Sequence, residues 1–228
     1  MNAKERVTLA MARQIPDRVP VFPVITAYHA SRVLGINYRE IVLDPLLTYD
    51  VLLAAWRKYR FDGFEIGLGP EVGDKDHIIV RTIDGVDYLV DSVSGELYAR
   101  LEDDEAPIPL HNDPPVKEPA DLERITVPTV EELRAEGRLA PVERVLAEVG
   151  DDAYIAGTAA SQSMNFLVYA RGAEQAMLDL IRNPNLVHRI MQKGTDISIN
   201  IGLALIEAGV DGIYIGDAWA SASIISPA

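Results

Sequence analysis

The 228-residue chain has no cysteine. This removes disulfides, a thiol nucleophile and any cysteine-ligated metal site from these residues. It also lacks any run of about eighteen apolar residues, and residues 1–13 lack the contiguous apolar core of a secretory leader. No membrane span or leader is expected, and a cytoplasmic location is the default. Positive charge is scarce: 21 Lys and Arg stand against 35 Asp and Glu, for a formal net charge of −14. Nucleic acid and anionic membrane surfaces are therefore not expected partners, because binding either requires clustered cations. What remains is an ordinary globular composition, 48% hydrophobic and 25% charged, with enough length to bury a core.

Residues Leu9, Ala10 and Ala12 continue a short helical pattern that ends at Pro16. Val19 to Ile25 is nearly all apolar and rich in β-branched residues, which suits a strand buried on both faces. Asp44-Pro45 then supplies an N-cap and a first-turn proline for a helix with Leu47, Val51, Ala54, Ala55 and Tyr59 on one face. Gly63 to Gly69 reads as a second strand with a glycine-rich exit.

The segment near 77–101 breaks this rhythm. Ile78–Ile83 and Val86–Asp91 flank Asp84-Gly85, a favoured type I′ pair, and a third antiparallel strand is expected near Glu96 to Leu101. Prolines crowd between Pro107 and Pro128, marking a surface connector. The alternation returns with a helix over Val130 to Val149 and a strand from Tyr154 to Ala160. A helix around Ala173 to Ile181 and another from Asn183-Pro184 to Gly209 follow, then a strand over Gly212 to Asp217.

Helices alternating with buried strands predict an α/β fold with a parallel sheet or barrel. Four core strands are predicted, whereas a closed (β/α)₈ barrel has eight and typically about 250 residues. The expectation is one incomplete barrel domain over 1–228, with about the first half to two-thirds of the barrel present. Such a chain alone is expected to be inactive, and poorly soluble or oligomeric, with a homodimer as one way to cover the open strand edges.

Three groups of residues carry a family resemblance. Lys4-Glu5-Arg6-Val7 followed by Pro16-Asp17-Arg18-Val19-Pro20-Val21 resembles the opening of methyltransferase-like members of the uroporphyrinogen decarboxylase superfamily. Arg171-Gly172-Ala173-Glu174, Asn183-Pro184 and Glu207 to Ile213 are similar to its paired helices before the fourth strand. Gly216-Asp217-Ala218-Trp219-Ala220-Ser221 and Ile225-Ser226-Pro227 resemble the strand exit that reads roughly Phe-Asp-Ser-Trp-Ala-Gly and then Leu-Ser-Pro in the decarboxylases.

The resemblance implies a TIM-type barrel and one of two chemistries: cofactor-free decarboxylation of uroporphyrinogen, or methyl transfer involving a corrinoid with zinc activating a thiol. The decarboxylases carry an Arg-Gln-Ala-Gly-Arg segment after the first strand, where this chain has Ile25-Thr26-Ala27-Tyr28-His29. Their Phe-Ser-Asp after the second strand falls near Gly67 to Gly69 here, and their strand-four serine is Ala218. These departures point to the corrinoid-linked methyltransferase or demethylase branch, with a small-molecule substrate or a corrinoid protein as partner. A divergent uroporphyrinogen decarboxylase is the alternative, and a non-catalytic binding module a further one. The His-x-Cys pair and distant Cys that the resemblance implies for zinc would lie beyond Ala228, so no metal ligand set is expected within this chain.

In such barrels reactive groups sit at the C-terminal ends of strands. Asp217 ends the last predicted strand, and Glu65 is a carboxylate inside a buried one, where lack of a partner is costly. These two are the candidate catalytic residues. His29 after the first predicted strand and Ser161-Gln162 after the third are candidate substrate-binding residues, and Tyr169 lies near a position the resemblance implies is functional. His77, His111 and His188 are read as structural. Gly67 and Gly69 form no dinucleotide fingerprint.

Overall fold

The computed structural model describes residues 1–70, 77–102, 107–111, 113–159 and 163–225. Helix α1 (Ala3–Met11) is started by a capping box: the Glu5 N–H donates to the Asn2 side chain, and the Asn2 N–H donates to the Glu5 carboxylate. Thr26 caps α2 (Ala27–Leu34), which Gly35 ends in the left-handed conformation, and Asn37 caps α3 (Tyr38–Leu43). Helix α4 (Leu47–Tyr59) begins just after Pro45, buries Val51, Leu52 and Ala55, and feeds β1 (Gly63–Ile66).

Strands β2 (Ile78–Ile83), β3 (Val86–Asp91), β4 (Leu97–Arg100) and β5 (Ile108–Pro109) form an antiparallel sheet in that order. Asp84 and Gly85 both have positive φ, 51° and 80°, as the predicted type I′ turn requires. A 3-10 turn at Pro119–Arg124 precedes α5 (Val130–Ala135) and α6 (Ala140–Val149). Then come β6 (Tyr154–Thr158), α7 (Ser163–Arg171), α8 (Ala173–Arg182), α9 (Pro184–Ala208) and β7 (Gly212–Tyr214).

β1, β6 and β7 make a parallel sheet in the order β1-β6-β7, with Glu65 paired to Ala156 and Thr158 to Tyr214. Because side chains alternate across a strand, this register sorts them onto two faces. Phe64, Ile66, Ile155 and Ile213 turn toward the helices and pack with Val51, Leu53, Val142, Val145 and Leu205. The opposite face carries Gly63, Glu65, Tyr154, Ala156, Thr158, Gly212 and Tyr214. A second core joins α7, α8 and α9 through Leu167, Ala170, Ala176, Val187 and Ile190. Its close packing depends on Gly194, where a Cβ would sit 2.5 Å from Phe166.

Three expectations are corrected. Residues 19–25 form no strand: Val19 is 83% and Val24 71% exposed, and a backbone hydrogen bond from the Asp62 N–H to the Val21 carbonyl (2.7 Å) joins the segment to the start of β1. The prolines at 20 and 23 have no N–H to give to a ladder. The parallel sheet among the described residues therefore has three strands, not four. The expected helix over Val130 to Val149 is two helices, separated at Gly137, whose φ of 73° breaks the turn. The strands expected to reach Ala160 and Asp217 end at Thr158 and Tyr214.

One buried carboxylate ties the chain's opening to the sheet. Asp62, 1% exposed, accepts from Arg6 Nη1 at 2.6 Å, from Arg18 Nη1 and Nη2 at 2.7 Å each, and from the Val21 N–H at 2.7 Å. Arg6 also donates from Nε and Nη2 to the two oxygens of Asp17, at 2.6 and 2.8 Å. Beside it, Lys4 Nζ lies 2.5 Å from Asp211, whose other oxygen accepts from the Ile155 N–H at 2.9 Å. Thus α1 clamps the starts of β1 and β7.

Burial works against the Asp62 charge, but the Val21 N–H, Arg18 and Arg6 more than offset it and hold the carboxyl below its ordinary range. The hydrogen bonds from Arg6 hold Asp17 down at about 2. A carboxylate with a depressed folded-state pKa stabilises the fold above its unfolded value, and that stability is lost as pH falls through the folded value. Asp62→Asn should cost about 3 kcal/mol at neutral pH, as for breaking a buried pair from one side. Urea unfolding at a series of pH values checks both points: wild-type stability should fall below about pH 4, toward the Asp17 value, and the variant should fall less steeply.

Candidate active site on the open sheet face

In parallel α/β folds ligands bind outside the carboxyl ends of the strands. Here that end of the sheet is built from the Gly67–Gly69 exit of β1, the exit of β6, and residues 215–219 after β7. The face the helices leave uncovered leads up to it. Along this face Glu65 is flanked on its own strand by Gly63 and Gly67, and across the sheet by Ala156. A Cβ at Gly63 would lie 2.5 Å from the Tyr154 carbonyl and 2.6 Å from the Phe22 ring, so the site is closed at the start of β1. A Cβ at Gly67 would meet no atom of the described residues within 4 Å, so toward the strand exit they leave it room. Phe22 and Tyr154 meet edge to face at 6.1 Å and form the floor.

The two candidate catalytic carboxylates differ in what they touch. Asp217 Oδ2 accepts from Ser163 Oγ (3.1 Å), the Met164 N–H (2.9 Å) and the Asn165 N–H (3.3 Å), and Oδ1 accepts from the Trp219 N–H (3.2 Å). It therefore caps the first turn of α7 from a distant part of the chain, meeting both the free N–H groups and the positive helix end. Asn165 Nδ2 donates to the Gly216 carbonyl at 2.9 Å and completes the link. Glu65 has no hydrogen-bond or ionic partner among the described residues. Burial pushes its carboxyl above the ordinary range.

The other candidates do not gather around Glu65. His29 lies in the first turn of α2, exposed, with Nε2 3.3 Å from the Tyr59 hydroxyl. It lines a cavity of about 440 Å³ with Val21, Ile25 and Phe61, beside the chain that enters β1. Tyr169 is 63% exposed on α7, its ring tilted against Phe166. Ser161 and Gln162 lie outside the described residues. Thr158 and Tyr214, which share the open face with Glu65, were not singled out in the sequence, although the period-two alternation of their strands could have found them. Ser163 and Asn165 were likewise missed as partners of Asp217, because only the fold brings residues so far apart in sequence together.

Residues 98–228 match the family model described as uroporphyrinogen decarboxylase (URO-D), which is more than half of the chain. The chain belongs to the uroporphyrinogen decarboxylase family. No curated protein matches the sequence. Among solved structures the chain resembles a methyltransferase from Methanosarcina mazei, with a TM-score of 0.66 and 20% identity over all of this chain. It spans 62% of the length of that structure. The likeness shows a shared α/β fold. Among the described residues no helix is long and apolar enough to cross a membrane.

This family fold frames the motif residues. Arg6 and Arg18 of the opening motif bind Asp62. Arg171 and Asn183 bind the fully buried Asp179: Arg171 Nε donates at 2.6 Å and Asn183 Nδ2 at 2.7 Å, while Arg171 Nη1 holds the Val116 and Lys117 carbonyls. Both motifs serve the scaffold. The residues present do not fit a zinc-thiolate centre, since the chain has no cysteine and its described residues hold no group of three potential ligands.

The two carboxylates predict opposite stability effects. Asp217→Asn should lower unfolding free energy by about 1 kcal/mol through the weakened α7 cap. Glu65→Gln should raise the melting temperature at pH 7, because a carboxyl whose folded-state pKa is raised loses stability as pH climbs through that value. Thermal unfolding of both variants at pH 7 and pH 4 checks this, and the Glu65→Gln gain should shrink at pH 4.

Proposed function

We propose that the parallel sheet is an arc of a (β/α) barrel of the uroporphyrinogen decarboxylase type, with residues 1–228 in one domain. We further propose that the protein serves methyl transfer of the corrinoid-linked methyltransferase or demethylase kind. The observation that carries this is the charge of the open face. Uroporphyrinogen is a polycarboxylate, and binding it calls for guanidinium groups aimed into the site. Among the described residues the paired strands present no Lys or Arg on that face, and their one ionisable acid there is Glu65. Of the cations close to the sheet, Lys4, Arg6 and Arg18 are held at the opposite end by Asp211, Asp17 and Asp62, and Arg138 lies beside the β1 exit, its Nε donating to the Gly69 carbonyl at 3.1 Å. A carboxylate in place of a cation repels a polyanion and accepts a neutral or positively charged ligand.

The methyltransferase name of the structurally similar Methanosarcina protein agrees with this reading. The partner is then a small methylated molecule or a corrinoid protein, and the corrinoid supplies the methyl-accepting metal. This chain's residues contribute positioning: Glu65 contacts the ligand, and Asp217 fixes the turn after β7 against α7. A zinc-thiolate step is not assigned to these residues.

Equilibrium dialysis of the protein against methylcobalamin and against uroporphyrin tests the reading, together with an anaerobic assay for coproporphyrinogen formed from uroporphyrinogen. Methylcobalamin should be retained and porphyrin excluded, with no coproporphyrinogen formed. Porphyrin retention with turnover would establish the divergent decarboxylase instead.

A further inference from the structure

We propose that Glu65 and the aromatic floor beneath it form a recognition site for a small organic cation of the substituted-ammonium type. The inference rests on the methyl-transfer reading of the same face and specifies its ligand. A carboxylate in the middle of a strand, between the buried Phe64 and Ile66, normally finds a cation or a hydrogen-bond donor. Glu65 has neither among the described residues. The residues around it explain why and leave room for one. Gly63, Gly67 and Ala156 offer no donor side chain, and a Cβ placed on Gly67 would meet no described atom within 4 Å.

The floor adds a second preference. Phe22 and Tyr154 stand at the start of the same face, in edge-to-face contact at 6.1 Å. Aromatic faces attract cations through their quadrupole, most strongly for weakly hydrated ammonium groups. The Tyr154 hydroxyl is engaged, donating to the Asp211 carbonyl at 2.8 Å, which holds the ring in place. One carboxylate above an aromatic floor suits a single positive charge on an alkylated nitrogen. It does not suit a carboxylate or phosphate, for which the paired strands, among the described residues, present no donor side chain on this face beyond the hydroxyls of Thr158 and the tyrosines.

Three probes of similar shape and different charge test this on the 228-residue protein: tetramethylammonium, tert-butanol and pivalate, titrated by NMR at pH 7. Tetramethylammonium should bind at least tenfold more tightly than tert-butanol, and pivalate should not bind. Glu65→Gln should abolish the preference for the cation, Glu65→Asp should restore part of it, and Phe22→Leu should weaken it severalfold. Circular dichroism confirms that each variant is folded. Equal binding of the three probes, no binding of tetramethylammonium at millimolar concentration, or an unchanged preference in folded Glu65→Gln would each overturn the assignment. Uroporphyrinogen turnover would remove the reading on which it rests; lost cation preference with methylcobalamin still retained removes the Glu65 assignment alone.

Discussion

Asp62 is the fixed point of this structure. It sits immediately before β1, almost wholly buried, and its two oxygens are shared among Arg6, Arg18 and the Val21 N–H. A carboxylate in that position is tolerable only if its charge and lone pairs are met, so the chain's opening has to come to it. Helix α1 therefore docks at the starts of the strands, where Lys4 also reaches Asp211. The segment from Val19 to Ile25 follows an extended course past β1 because Val21 is held at both its N–H and its carbonyl by Asp62.

This arrangement separates two kinds of chemistry along the sheet. The cations and their carboxylates are consumed at the strand starts, and a similar cluster around Asp179 locks α7 and α8 to the connector at Val116. Among the described residues, the open face of the paired strands toward the exit end carries glycines, an alanine, hydroxyl groups and Glu65, with Arg138 beside it on the Gly69 carbonyl. Small residues there allow a ligand to approach the backbone, and Glu65, unpartnered among the described residues, contributes negative charge to the face it meets. Scaffold and site are thus distinguished by whether an acid has a partner: Asp62, Asp179, Asp211 and Asp217 do, and Glu65 among the described residues does not.

Much of the fold was legible in the sequence because it rests on local signals. The Asp84-Gly85 turn, the Asn183-Pro184 start and Gly209 end of α9, and the strands at Gly63, Tyr154 and Gly212 all follow from backbone preference and side-chain periodicity. Val19 to Ile25 misled because its apolar, β-branched composition matches a buried strand, while Pro20, Pro23 and the pull of Asp62 decide otherwise. The site was legible in part. Strand position picked out Glu65, but the same reasoning favoured Asp217, and only the fold shows that carboxylate committed to the N-terminus of α7. His29 follows an extended segment that is not a strand, and lies in the first turn of α2 beside Tyr59.

Amide hydrogen exchange along residues 19–25 and 62–66 tests the role of Asp62 most directly. The Val21 and Asp62 amides should exchange as slowly as those of β1, while Val19 and Val24 exchange rapidly, and in Asp62→Asn the protection at Val21 should disappear. Continuous protection from Val19 to Ile25, or Val21 exchanging as fast as Val24 in the wild type, would contradict the account.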